Sequence, residues 1–442
     1  MKPAVLMLLG GLTVLAAEAP WKAGVARVVI TPREPIWLAG YAARTKPSEG
    51  VLMDIYAKAL ALQDSSGAIS VLVAADILGF TRKMSDEIAA RLRQKYGLPR
   101  ERLILSATHT HSGPVTGQLL RPAYALDSAQ SEVIGRYTPW LLDQVVDVVG
   151  KAIANLAPAR LEFEQGLAGF AVNRRRVGAR NRPTVVDQDV PVLAVRSADG
   201  RLRALVFLYA CHNTVLADYL INGDYAGFAQ EALEKEHPGA AALFVAGCGA
   251  DANPLPRRSV ELARMYGQIL AAAVREVLSG KMKPLEGPVQ AALEHVDLPF
   301  QTPPSRQEFE ARLNDRDALR RNHARQMLEI LDREGRLPDR YPYPVQVWQF
   351  GKQLTWIVLA GEVVADYALR FKREYGPDTT WVAAYSNDVF AYIPSLRVLK
   401  EGGYEGGGAM IAYGQPAPFR AAVEEIVAEK VDELVGRLRS GR

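Results

Sequence analysis

Ser106-Ala107-Thr108-His109-Thr110-His111-Ser112-Gly113-Pro114 decides how the rest of the chain is read. It follows Leu103-Ile104-Leu105, an apolar run that reads as a buried strand. Two histidines appear where that strand ends, one residue apart. In extended backbone, residues i and i+2 point to the same side, so His109 and His111 can face one point. Neutral imidazole serves both as metal ligand and as general acid or base. A hydrogen-bonded surface pair would have the same spacing, so the surroundings must separate these readings.

Outward from this stretch, three apolar strands are each followed by an amphipathic helix and another apolar strand. Ile69–Ala75 leads through a helix carrying Met84, Ile88, Leu92 and Tyr96 to the histidine strand. Leu205–Ala210 leads through a helix over 226–237 to Ala242–Ala246. Leu354–Ala360 leads through a helix carrying Val363, Val364, Tyr367, Ala368, Phe371 and Tyr375 to Trp381–Tyr385. Strand–helix–strand units of this length imply parallel pairing. Helices are also expected over 129–155, 259–279, 305–335 (a charged, solvated helix or helical pair) and 419–439, and a hairpin around Asp199-Gly200. The expected fold is α/β: a mixed, largely parallel sheet core of several βαβ units with flanking helices. Its site should lie at the carboxyl ends of the strands.

Polar groups gather at those ends: His109 and His111, His212, Asp251 and Asn253, and Glu362. Ligand sites in open α/β sheets form there. Two histidines and a carboxylate with an open position make a catalytic zinc set. The bland alternatives are specific. His212 could be a satisfied core histidine, Glu362 could complement the dipole of the helix it precedes, and Asp251 and Asn253 could shape the turn before Pro254. Ionisable groups at several strand ends of one polarity favour the site.

Composition narrows the function. With 49% hydrophobic and 23% charged residues the chain has ordinary globular balance. A net charge of +4, with Arg174-Arg175-Arg176 as the basic run that stands out, gives nucleic-acid binding little support. Lys2, the apolar stretch Val5–Leu15 and the small residues before Pro20 read as a secretory signal over 1–19, with export to a periplasmic or extracellular space. Cys211 and Cys248 read as buried small residues rather than a disulfide.

The Thr-His-Thr-His-Ser-Gly-Pro string resembles the signature of the neutral/alkaline, non-lysosomal ceramidase family. Val29-Ile30-Thr31-Pro32 with Gly40-Tyr41, Asn173-Arg174, Gly223-Asp224, Gly361-Glu362 and Tyr404-Glu405-Gly406-Gly407 extend the likeness over 20–442. The resemblance implies a zinc amidase that cleaves N-acylsphingosine to fatty acid and amine by a zinc-activated water. It implies Zn2+ held by His109, His212, Glu362 and Tyr404. His111 and Arg174 would stand at the substrate amide, and Tyr413 would be a further carbonyl contact. Asp251 and Asn253 fall in a segment assigned to substrate binding. Three departures stand out. Asn253 occupies the place of a serine once proposed as nucleophile, Val115-Thr116 replaces Gly-Gly, and no run of short strands for the family's C-terminal β-sandwich follows Tyr404. These departures keep open another extracellular amide or ester, such as an N-acyl amino acid. The rival classes are a metal-containing binding protein without turnover and a serine hydrolase using Ser112. The resemblance leaves peripheral membrane contact and oligomeric state open.

Overall fold

The computed structural model describes residues 21–177 and 184–440. The signal segment read from the sequence lies outside the described residues. Two sheets carry the fold. The larger has nine strands, in the order Ala241–Ala246, Leu202–Tyr209, Asp189–Ser197, Ala157–Leu167, Trp21–Val29, Tyr56–Gln63, Ile69–Ala75 and Leu103–Ala107, with Lys283–Leu285 beside Ala157–Leu167. The smaller runs Val289–Pro299, Arg340–Phe350, Leu354–Leu359, Thr380–Ala383.

All three expected βαβ units are present. Ile69–Ala75 pairs parallel with Leu103–Ala107 through helix Arg82–Tyr96. Leu202–Tyr209 pairs parallel with Ala241–Ala246 through Asp224–Glu236. Leu354–Leu359 pairs parallel with Thr380–Ala383 through Ala365–Tyr375. In these two sheets the parallel pairs are those of the three units; the other pairings are antiparallel. The charged 305–335 stretch is a pair of helices, Arg306–Arg312 and Ala318–Glu334, set between the two longest-paired strands of the smaller sheet.

Strand alternation decides the layering. Leu60, Leu72, Val206, Leu208, Leu243 and Val245 turn one way and meet Trp348, Trp356 and Trp381 of the smaller sheet. Their neighbours Ala59, Val71, Val73, Phe207 and Phe244 turn the other way, into the core shared with the helices. Burying each such large side chain contributes roughly 1.5–3 kcal/mol. Helices Ser128–Ala154, Asp224–Glu236 and Val260–Ser279 cover the outer face of the large sheet, and Val423–Ser440 packs on the smaller one. The result is a helix–sheet–sheet–helix stack.

The three units meet because the smaller sheet feeds its last strand into the larger. Beyond Ala383 the chain slots between the edge strands of the nine-stranded sheet. Ala384 N–H donates to Ala246 O at 2.9 Å, Ala107 N–H to Tyr385 O at 3.2 Å, and Asn387 N–H to Leu105 O at 2.6 Å. Tyr385 N–H in turn donates to Gly361 O at 3.0 Å. Glu362 is thereby brought against the loops that carry the histidines.

Candidate metal centre

His109 sits just past its strand with φ +60°, a left-handed conformation that turns its ring back towards the sheet edge. Its Nδ1 lies 2.7 Å from the Leu78 carbonyl. His212 Nδ1 lies 2.8 Å from the Gly249 carbonyl. A carbonyl only accepts, so in both rings Nδ1 carries a proton and Nε2 is the nitrogen left to face the site. Both Nε2 atoms point at one carboxylate oxygen, Glu362 Oε2, at 3.3 Å for His109 and 2.9 Å for His212. The other carboxylate oxygen accepts from the Tyr413 hydroxyl. His111 Nε2 stands 3.2 Å from His109 Nε2. The ligating nitrogens of His109, His111 and His212 all lie within 4.8 Å of one another.

Electrostatics sharpens the arrangement. Burial alone would raise the Glu362 carboxyl, but His109 and His212 outweigh it and hold it well below the usual carboxylate range. Burial, with Arg174 nearby, pushes His212 down; burial, then His109 and His212, pushes His111 well down. Two ring nitrogens and one carboxylate oxygen thus converge on a single point, where a cation would take all three as ligands. Backbone carbonyls that fix a ligand histidine at its far nitrogen are the usual outer layer of a zinc site. The donor set of two imidazoles and a carboxylate fits zinc.

Beside the histidines lies a cavity of about 620 Å³ walled by His111, Arg174, Asn253, Arg257, Tyr392 and Tyr404 among others. Arg174 donates to Glu405 Oε1 at 2.6 Å and to the Tyr392 hydroxyl at 3.1 Å. Burial works against its charge, but Tyr392 and Glu405 overcome it and hold the guanidinium protonated. His111 Nδ1 has no partner among the described residues. Its ring leans on Tyr41, with centroids 4.9 Å apart.

The cavity and the packing around it receive the other expected residues. Tyr404 stands in the cavity wall, 51% exposed, against the Tyr392 ring. The tyrosine bonded to the carboxylate is Tyr413. Asp251 is fully buried and absent from the cavity wall. Its Oδ2 accepts from Asn173 at 2.8 Å and its Oδ1 from Ala365 N–H at 3.0 Å. Its carboxylate is therefore a strut between the Arg174 segment and the helix after Glu362, rather than a substrate contact. Asn253 does face the cavity, with Oδ1 3.5 Å from Arg174. Ser112 is fully buried and its hydroxyl has no hydrogen-bond partner among the described residues, which leaves the serine-nucleophile reading without support. Cys211 and Cys248 are buried free thiols. Sequence reasoning missed Tyr392, whose hydroxyl lies 3.4 Å from His212 Nε2, and Tyr385, whose ring centroid is 4.3 Å from that of His109. Both follow apolar strand residues and carried no spacing signal.

Gly40 has φ +89°, and a Cβ built on it would come 2.3 Å from His111 Nδ1. Gly40→Ala is therefore expected to displace His111 while leaving His109 and His212 in place. Activity should fall about 10²-fold, as for a misplacement of roughly an ångström, with metal content unchanged. Wild-type turnover in the variant would show that the His111 ring has another way to sit.

A strand-end cluster of histidines and a carboxylate that could hold a metal ion, on a four-layer α/β fold, is what the site and the architecture define. The family model for "Neutral/alkaline non-lysosomal ceramidase, N-terminal" matches residues 21–254, and the chain belongs to that family. The neutral ceramidase of Pseudomonas aeruginosa is 28% identical over 229 residues, 48% of this chain and 33% of that protein. Neutral ceramidase A of Dictyostelium discoideum is 26% identical over 223 residues, 47% of this chain and 30% of that protein. The matched stretch thus spans about a third of these relatives' length. The crystal structure of the Pseudomonas aeruginosa neutral ceramidase superposes with a TM-score of 0.75 at 20% identity, covering 96% of this chain and 75% of that one. That likeness extends the shared fold beyond residue 254, to the segments carrying Glu362 and Tyr413.

Proposed function

We propose that the protein is an exported zinc-dependent amidohydrolase that splits an N-acyl lipid, ceramide or a related N-acyl amine, into fatty acid and amine. One observation carries the metal: the Nε2 atoms of His109 and His212 converge on Glu362 Oε2 while each Nδ1 is committed to a backbone carbonyl. The names of the relatives support the amide, and export rests on the sequence of residues 1–19 alone.

Zinc, when bound, supplies the Lewis acidity that makes water a nucleophile near neutral pH. The chain does the rest. Arg174, kept charged and oriented by Glu405 and Tyr392, donates to the carbonyl oxygen as negative charge builds on it. His111 is neutral and faces the same cavity, so it can take a proton as the new C–O bond forms. It returns that proton to the amine nitrogen as the C–N bond breaks. Tyr413 holds Glu362 from the side opposite the histidines.

A second substrate reading, a short soluble amide or an ester, is favoured by the four arginines of the cavity wall. Hydrolysis assays decide both. The expected results are one zinc per chain, release of fatty acid from N-acyl amines, loss of that release on chelation and its return with zinc. A metal-free protein with full activity would sink the reading.

A further inference from the structure

The cavity wall carries Arg174, Arg175, Arg176 and Arg257 against Glu401 and Glu405. The acids are already committed. Glu405 accepts from Arg174 and Arg175, each at 2.6 Å. Glu401 accepts from Arg175 at 3.1 Å and Arg176 at 2.8 Å. Arg257 is half-buried and has no hydrogen bond or ion pair among the described residues. Its position is built. Ala252–Pro254 pairs antiparallel with Ala171–Asn173, which sets the segment leading to Arg257 beside the one leading to Arg174. The neighbouring Arg258 is turned to the Tyr41 hydroxyl at 3.1 Å. Asp224, the carboxylate whose charge supports Arg257, is occupied by the N–H groups of Val215, Leu216 and Tyr225. Burial and the like charges of Arg258 and Arg174 work against the Arg257 cation. An anion in the cavity would reverse that balance.

We propose that Arg257 reads a carboxylate on the substrate, so that the site prefers N-acyl amines with an anionic head, of the N-acyl amino acid class, to neutral ones. The inference rests on the amidase reading of the site. A guanidinium without a partner matches a carboxylate with two parallel hydrogen bonds. A neutral head would leave that cation unpaired beside two others.

The test uses the full chain, metal-free for binding and zinc-loaded for turnover. The probes are N-dodecanoylglycine and its neutral methyl amide. Calorimetry on the metal-free protein should show the carboxylate binding about 10–100-fold more tightly. Arg257→Ala should erase that gap while leaving affinity for the methyl amide unchanged, and Arg257→Lys should keep part of it. Equal affinities in the wild type, or a gap that survives Arg257→Ala, would overturn the proposal. With zinc, the same preference should appear in KM. A binding gap that depends on Arg257 but comes with no turnover of either probe would sink the amidase reading and leave the carboxylate site standing.

Discussion

His212→Ala is expected to yield a protein that retains no stoichiometric zinc and has lost amide hydrolysis by about 10³-fold or more, which is ~4 kcal/mol of transition-state stabilisation. The size follows from how the centre is built. His212 Nε2 makes the shorter of the two approaches to Glu362 Oε2, and its ring is fixed by Gly249 O. Gly249 is held in turn by its own turn, since a Cβ there would come 2.4 Å from Cys211 N. Removing the imidazole leaves Glu362, 3% exposed, facing a hole on one side. Breaking a buried ionic arrangement by deleting one partner costs roughly 3–5 kcal/mol. The variant should therefore also melt earlier than the wild type, and added zinc should no longer raise its melting temperature. His109→Ala, on a different element, should do the same. Elemental analysis checks the metal and thermal melting checks the fold. Full zinc and full turnover in either variant would refute the centre.

The legibility of this site follows from what kind of signal each residue left in the sequence. His109, His212 and Glu362 were legible because each ends an apolar strand, and buried strands that stop at ionisable groups are scarce. The three βαβ units were legible for the same reason, as apolar runs bounded by helical periodicity. Val289–Pro299 and Arg340–Phe350 went unread, although they pair over eleven residues. One mixes Glu294, His295 and Asp297 into its alternation, and the other holds Pro342 and Pro344. Tyr404 and Tyr413 left no signal of spacing or burial, and only the family motif marked Tyr404; the structure places Tyr404 in the cavity wall and bonds the Tyr413 hydroxyl to the carboxylate. Asp251 shows the opposite limit. A carboxylate at a strand end looks functional, yet here its two oxygens tie Asn173 to Ala365. Only the packing of distant segments reveals that its valences are already used.

On the proposed mechanism the His109–His111 doublet divides into two roles, and His111→Ala separates them. That variant is expected to keep its zinc and lose about 10²–10⁴-fold in kcat, the range for removing a general acid–base group. The ground for the split is the far nitrogen of each ring. His109 and His212 commit Nδ1 to backbone carbonyls, which orients both Nε2 atoms at Glu362 Oε2, as ligands of the proposed zinc would be. His111 Nδ1 is bonded to nothing among the described residues, and its ring lines the cavity. A group that must accept and return a proton benefits from that freedom; a ligand does not. The pH profile supplies an independent reading. Burial, then His109 and His212, holds the His111 imidazole well below its ordinary 6.5. Its proton-accepting form is lost only as pH falls through that lowered value. The wild-type acid limb should thus lie below pH 6.5, and His111→Ala should remove it from the residual rate. Zinc lost together with activity would instead make His111 a third imidazole ligand, completing the cluster with His109 and His212. In that case Arg174 alone would be left facing the amide, and proton delivery to the leaving amine would have to come from water.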